Sequence, residues 1–284
     1  METVAVFGVG LIGGSFALAL RHAGFKGKII GVSSPQTIEK AITLRVVDLG
    51  ADEETAARRA DLLYLAQPIH EILKCITRLD PWVKPDALVT DAGSTKTAVT
   101  QQAARSLRRC QFLGGHPLAG KETTGVSSAE PQLFLGRKYV VTPQSLADLS
   151  TPAASSFLSW LHKIGAVRVV MNAAEHDRTV AYTSHLPQLA ASALALALKN
   201  SGANLDVFGP GLLDMTRLAM SPFGVWKDIL QTNSSEIQQA LSSYIAVLQR
   251  LTDIVGSGDM QSQFDQGADL ASQLRGSKPF LGTE

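Results

Sequence analysis

The sequence predicts an α/β protein: a Rossmann-type, doubly wound, mainly parallel sheet followed by an all-helical second domain. Three observations carry that expectation. Short apolar strands alternate with helical patterns up to about residue 173, as in a parallel sheet covered on both faces. Gly8, Gly10, Gly13 and Gly14 interrupt the otherwise apolar opening run VAVFGVGLIGGSFALAL at the join of a strand and a helix. From about Glu175 onward no convincing strand pattern follows.

Residues 4–7 read as a short buried strand, and residues 11–20 as the start of a helix rich in good helix formers. Between them Gly8, Gly10 and Gly13 fit G-x-G-x-x-G. In that motif the first glycine allows a tight turn, the second lets a phosphate approach the backbone, and the third lets the helix sit close to the strand. The N–H groups at the helix start then face a pyrophosphate. A ligand-free glycine turn has the same letters; the placement between strand and helix is what favours a dinucleotide. Further strands are expected at 28–32, 62–65, 87–90 and 111–113, with two more in RKYVVTP and AVRVVMN.

In the second half, HDRTVAYTSHLPQLAASALALALKN predicts a long helical stretch. Its centre, residues 189–198, is apolar on nearly every side, which is the pattern of a helix buried all round. A half of about 110 residues has little interior in which to hide such a helix. A second subunit covering it is therefore expected, and an ordinary core helix within one subunit is the alternative. Further helices follow, one with an N-cap region at Ser234. The expected domains are 1–173, binding a dinucleotide, and 174–284, helical, for dimerisation and substrate.

The chain of 284 residues is long enough for two ordinary domains, and with 45% hydrophobic and 18% charged residues it can fill a real core. Lys+Arg minus Asp+Glu is 26 − 25 = +1, so no global charge points to nucleic acid or a membrane surface. Cys75 and Cys110 form no disulfide framework and suit a reducing compartment. The N-terminus lacks a basic n-region, and residues 189–198 are too few to span a bilayer. A cytoplasmic protein is expected. No His, Asp, Glu or Cys set has ligand spacing, so no metal is expected.

In a doubly wound sheet, ligands bind at the carboxyl ends of the strands. The unusual residues fall there: the glycine loop, Ser33-Ser34, DAGSTK at 91–96 and GGHPLAGKET at 114–123. His116 is the leading catalytic candidate, since imidazole titrates near neutrality. It follows two glycines that allow a sharp turn and precedes Pro117, which holds it extended. A structural loop histidine is the bland alternative. In the second half, Arg217 lies between Met215 and Leu218. Burying it would require an anion, either Asp214 or a substrate carboxylate gripped by two parallel hydrogen bonds. His176 and Asp177 are read as capping or ordering a helix start.

The segments GVGLIGGS, TDAGSTK, GGHPLAGKETTG, EHDRTVAYTSHLP and LDMTRLAMSP, in that order, resemble prephenate dehydrogenase and its close relative arogenate dehydrogenase. The resemblance covers residues 3 to about 255. It implies oxidative decarboxylation of a cyclohexadienol in tyrosine biosynthesis: prephenate to 4-hydroxyphenylpyruvate, or arogenate to tyrosine. It also implies a homodimer built through the helical domain. His116 would accept the hydroxyl proton, and Ser94 would hold His116 or the substrate near the nicotinamide. Arg217, His185, Lys121 and Gln188 would bind substrate. Gly8, Gly10, Leu11, Ile12, Gly13, Ser33, Ser34, Gln67 and Pro68 would bind the cofactor.

Two departures from the family pattern matter. NAD-binding Rossmann domains usually carry Asp or Glu at the end of the second strand, to hold the ribose hydroxyls. Here Ser33 and Ser34 stand there, which leans the expectation to NADP with NAD also accepted. Many prephenate enzymes read SHLPH where this chain has SHLPQ, so Gln188 leaves the choice between prephenate and arogenate open. The competing readings are a β-hydroxyacid or imine-type dehydrogenase, with Lys96 near the nicotinamide, and a dinucleotide sensor without catalysis.

Overall fold

The computed structural model describes residues 1–276. The chain divides into two compact units. The first is Met1–Asp177 together with Pro222–Thr232; the second is Arg178–Ser221 together with the residues from Asn233 onward. The stretch expected as a second domain, 174–284, is thus interrupted by a segment that belongs to the first unit, and its residues 277–284 lie outside the described residues.

The first unit is built on eight strands: β1 (Thr3–Phe7), β2 (Lys28–Val32), β3 (Leu49–Gly50), β4 (Leu62–Leu65), β5 (Leu88–Asp91), β6 (Gln111–Pro117), β7 (Lys138–Thr142) and β8 (Val167–Val170). They lie in the order β3-β2-β1-β4-β5-β6-β7-β8. All pairs are parallel except β6 with β7. Helices alternate with the strands: α1 (Leu11–His22), α2 (Pro35–Thr43), α3 (Glu53–Arg59), α4 (Ile69–Leu79), α5 (Thr97–Ser106) and α6 (Pro152–Lys163).

Both faces of the sheet are apolar because parallel strands are covered on both sides. Val4, Val6 and Tyr64 pack with Phe16 and Leu20 of α1 and Phe157 of α6. Ala5, Phe7, Leu63 and Val89 pack with Ile72 and Ile76 of α4 and Val99 of α5. Phe16 stacks on Tyr64 with ring centroids 3.9 Å apart. Each fully buried Val, Leu, Ile or Phe among them stabilises the fold by about 1.5–3 kcal/mol.

Two strands differ from expectation. β3 has only two residues, too few to show any alternation. β6 runs on through both glycines to Pro117, where a turn was expected after residue 113. Its first part pairs parallel with β5, and its second part, Gly114 to Pro117, pairs antiparallel with β7. The glycines serve close packing, not turning. A Cβ on Gly114 would lie 2.3 Å from Thr142 Oγ1, and one on Gly115 would lie 2.6 Å from the Asp91 carbonyl oxygen.

After α7 (Ala173–Val180) the expected long helix is broken by a π-helical turn, Ala181–His185, before α8 (Leu186–Asn200). Pro187 sits in the first turn of α8 and has no N–H to donate backward, so the ladder is locally re-spaced. Next come α9 (Pro210–Thr216), α10 (Phe223–Thr232), α11 (Ser234–Ile254) and α12 (Met260–Gly276). Asn233, not Ser234, holds the cap position of α11, and no side chain caps it. Within the single chain α8 buries only Gln188 and Ala191, while Leu196 is 59% exposed. It is therefore not an ordinary core helix of one subunit. No helix among the described residues is long and apolar enough to cross a membrane.

Candidate active site

The loop after β1 has the geometry that its glycines imply. Gly8 has φ +88°, and a Cβ there would meet the Ala66 carbonyl oxygen at 2.7 Å. A Cβ on Gly13 would lie 2.2 Å from the Gly8 carbonyl oxygen and 2.8 Å from Val6 Cγ1, so only glycine lets α1 sit this close to β1. A Cβ on Gly10 would meet nothing within 4 Å: the backbone there is open to a ligand. Gly10 is also the cap of α1, with no side chain on its first-turn N–H groups.

These features border a cleft of about 520 Å³ whose lining includes Gly8, Gly10, Ser33, Ser34, Thr37, Glu53, Gln67, Pro68 and Glu71. Gln67 Oε1 is buried without a hydrogen-bond partner among the described residues. An uncapped helix start, an open glycine and an unpaired buried acceptor suit a dinucleotide. Leu11 and Ile12 lie in the first turn of α1 and pack against the core. Ser34 Oγ accepts from Thr37 N at 3.4 Å, capping α2. Glu53 is bonded to Arg78 at 2.8–3.1 Å, and Glu71 to Lys74 at 3.0 Å. Lys40, in the last turn of α2, is not part of this lining.

His116 is half-buried near the end of β6, opposite Val140. Its Nδ1 lies 2.8 Å from His176 Nε2, and His176 Nδ1 lies 2.8 Å from Asp177 Oδ1. Asp177 also accepts the backbone N–H of Lys96 at 2.7 Å and of Thr97 at 2.8 Å, at the start of α5. Burial pushes the Asp177 carboxyl up, but bonds from His176, Thr97 and Lys96 outweigh it and hold the carboxyl below the usual range. Asp177 is thus a cap, as expected, but of α5 and not of its own helix. His176 joins His116, a role the sequence reading missed. Adjacent His and Asp letters were visible, but nothing in the sequence shows which strand they meet, 60 residues away.

Ser94 is half-buried in the turn between β5 and α5, and its side chain makes no hydrogen bond to the described residues. Asp91 ties this turn to the strand that carries His116. Its carboxylate accepts Gly93 N at 2.8 Å and Gly115 N at 3.1 Å, and pairs with Lys96. Both Asp91 and Lys96 are fully buried. Burial drives the Lys96 ammonium below its ordinary value, against the pull of Asp91.

Lys121 belongs to the first unit, is exposed, and pairs with Glu130. Arg217, His185 and Gln188 belong to the second. Arg217 opens a 3₁₀ turn, Arg217–Met220, and is exposed, so burial does not demand the anionic partner that the sequence suggested. His185 is buried, with its Nδ1 3.3 Å from Asn233 Nδ2. Gln188 is buried, reaches Ser192 Oγ at 3.5 Å through Nε2, and its Oε1 has no partner among the described residues.

Comparison with known proteins gives this arrangement its family. Residues 16–170 match the model for the prephenate dehydrogenase nucleotide-binding domain, and residues 172–267 that for the prephenate dehydrogenase dimerization domain. The chain is 31% identical over 271 residues to prephenate dehydrogenase of Bacillus subtilis, covering 93% of this chain and 72% of that one. A solved prephenate dehydrogenase of A. aeolicus, in complex with hydroxyphenyl propionate and NAD+, superposes with a TM-score of 0.82 at 29% identity, over 97% of this chain and 96% of that one. Arogenate dehydrogenase of Synechocystis superposes with a TM-score of 0.79 at 30% identity, over 96% of this chain and 98% of that one. The chain belongs to the prephenate dehydrogenase family and is an NAD(P)-dependent dehydrogenase of tyrosine biosynthesis.

Proposed function

We propose that the enzyme oxidatively decarboxylates prephenate or arogenate, with His116 as the base. The glycine loop, Ser33, Gln67, the Ser94 turn and His116 follow or end β1, β2, β4, β5 and β6. Those strands are parallel neighbours, so these residues share the carboxyl edge of the sheet, where doubly wound folds bind ligands. That placement of His116 carries the reading. A nicotinamide cofactor held by Gly8, Gly10, Ser33 and Gln67 would supply the hydride acceptor. His116 takes the proton from the carbinol hydroxyl as the hydride leaves, which forms the carbonyl. Loss of the ring carboxylate as carbon dioxide leaves its electron pair in the ring, which becomes aromatic, and the oxygen recovers a proton.

Ser94 is assigned to positioning His116 or the hydroxyl. Arg217 is assigned to a substrate carboxylate, which guanidinium holds with two parallel bonds. His185 and Gln188 are assigned to the rest of the substrate, with Lys121 a lesser candidate because Glu130 already holds it. NADP is the proposed cofactor, with NAD also accepted. Three hydroxyls, on Ser33, Ser34 and Thr37, line the cleft, and its two carboxylates are each bonded to a cation. A homodimer through the second unit is proposed on the exposed apolar side chains of α8 and α11, and a cytoplasmic setting on the free thiols of Cys75 and Cys110. The hydroxyacid-type alternative is disfavoured by Lys96, which is fully buried against Asp91.

His116→Asn keeps a polar group but removes the base. Turnover with prephenate and arogenate is expected to fall by roughly 10²–10⁴, with cofactor affinity unchanged in a fluorescence titration. Near-normal turnover by a folded variant would remove His116 from the chemistry. A dinucleotide sensor would bind the cofactor and turn over neither substrate.

A further inference from the structure

We infer that His176 and Asp177 are positioning residues that fix His116 in the tautomer able to act as a base, an inference that rests on the role proposed for His116 above. The hydrogen bonds have only one consistent direction when both rings are neutral. Asp177 receives two backbone N–H groups, which can only donate, so its oxygens act as acceptors. His176 Nδ1, 2.8 Å from Asp177 Oδ1, must then carry the proton. A neutral imidazole has a single N–H, so His176 Nε2 is an acceptor. His116 Nδ1, 2.8 Å from that nitrogen, must donate to it. The proton of His116 is thereby held on Nδ1, and the lone pair is left on Nε2, where a base needs it.

The elements around the chain keep it in this order. His176 is fully buried, so no water competes for its ring nitrogens. The two rings meet edge to face, with centroids 5.1 Å apart. Asp177 is anchored by the start of α5, and the Lys96 ammonium is turned to Asp91. The competing arrangement is an imidazolium at His176 donating from both nitrogens. It adds a charge inside a fully buried ring, and it would move the proton of His116 to Nε2.

The test is the tautomeric state itself, read by long-range ¹H–¹⁵N correlation on the ¹⁵N-histidine-labelled enzyme above the histidine titration range. The six histidines are assigned by single substitutions. Nδ1–H resonances for both His116 and His176 are expected; Nε2–H at His116 would overturn the inference. Kinetics supply a second arm. His176→Phe removes donor and acceptor and is expected to lower kcat about 10- to 100-fold, the scale known for hydrogen-bond partners that orient metal-binding histidines, with the KM for cofactor unchanged. His176→Gln, whose amide can donate to Asp177 and accept from His116, is expected to recover most of the loss. Equal kcat in His176→Phe and wild type would also overturn the inference. If His176→Phe does not fold, the spectrum of the wild-type enzyme decides. If His116→Asn proves active, the base assignment falls while the spectrum still reports the tautomers; if it is inactive and the tautomer is Nε2–H, only this inference falls.

Discussion

At the scale of single residues, the cofactor cleft turns on Ser33. It stands where an acidic residue would hold ribose hydroxyls, and it lines the cleft beside Thr37. Ser33→Asp places a carboxylate where a 2′-phosphate would lie. One charged contact of this kind is worth roughly 1–3 kcal/mol. The ratio of kcat/KM for NADP over NAD should therefore fall about 5- to 150-fold, measured by steady-state kinetics with both cofactors. An unchanged ratio would move discrimination to another residue. His116 could be read from the sequence because a histidine between two glycines and a proline at a strand end is unusual. His176 could not, because its partner is supplied by folding. Arg217 misled in one respect, since its apolar neighbours suggested burial and the residue is exposed.

At the scale of elements, most strands were legible because parallel strands are short continuous apolar runs. β3 and the second half of β6 were not. One is too short to carry a pattern, and the other is written in glycines, which have poor strand propensity and are there for close approach. The cap of α5 was equally invisible, since Asp177 reaches it from α7. Asp177→Ala removes two backbone acceptor bonds, and losing a cap costs about 0.5–2 kcal/mol. The sign with pH follows from the depressed carboxyl. The stabilisation is fully present above the unfolded value of about 3.9 and is lost as pH falls through the lower folded value. Urea denaturation of wild type and variant should differ at neutral pH and converge in acid; a gap that persists below that range would mean that the charge is not what stabilises α5.

At the scale of the whole molecule, α8 carries apolar residues on all sides and stays largely uncovered in one chain, and Ile245 and Leu248 of α11 are also exposed. Leu196→Glu on α8 should weaken self-association by tenfold or more in sedimentation equilibrium, and a stable, active wild-type monomer at micromolar concentration would remove the dimer. The chain also passes between its two units at 177, at 221 and at 232. The returning segment carries α10, whose Ile229 joins the apolar layer of α4 and whose Asp228 bonds His70 Nδ1 at 2.6 Å. The chain is therefore less modular than its two matched sequence blocks suggest. A fragment of residues 1–177 leaves the α10 seat on α4 bare, forfeiting about 1.5–3 kcal/mol for Ile229 alone. It should unfold at lower denaturant than the same fragment with 222–232 rejoined by a flexible linker. Equal midpoints would show α10 to be dispensable. Exchanging the first block for that of a relative would therefore also have to carry this eleven-residue segment, 222–232, which lies inside the second block.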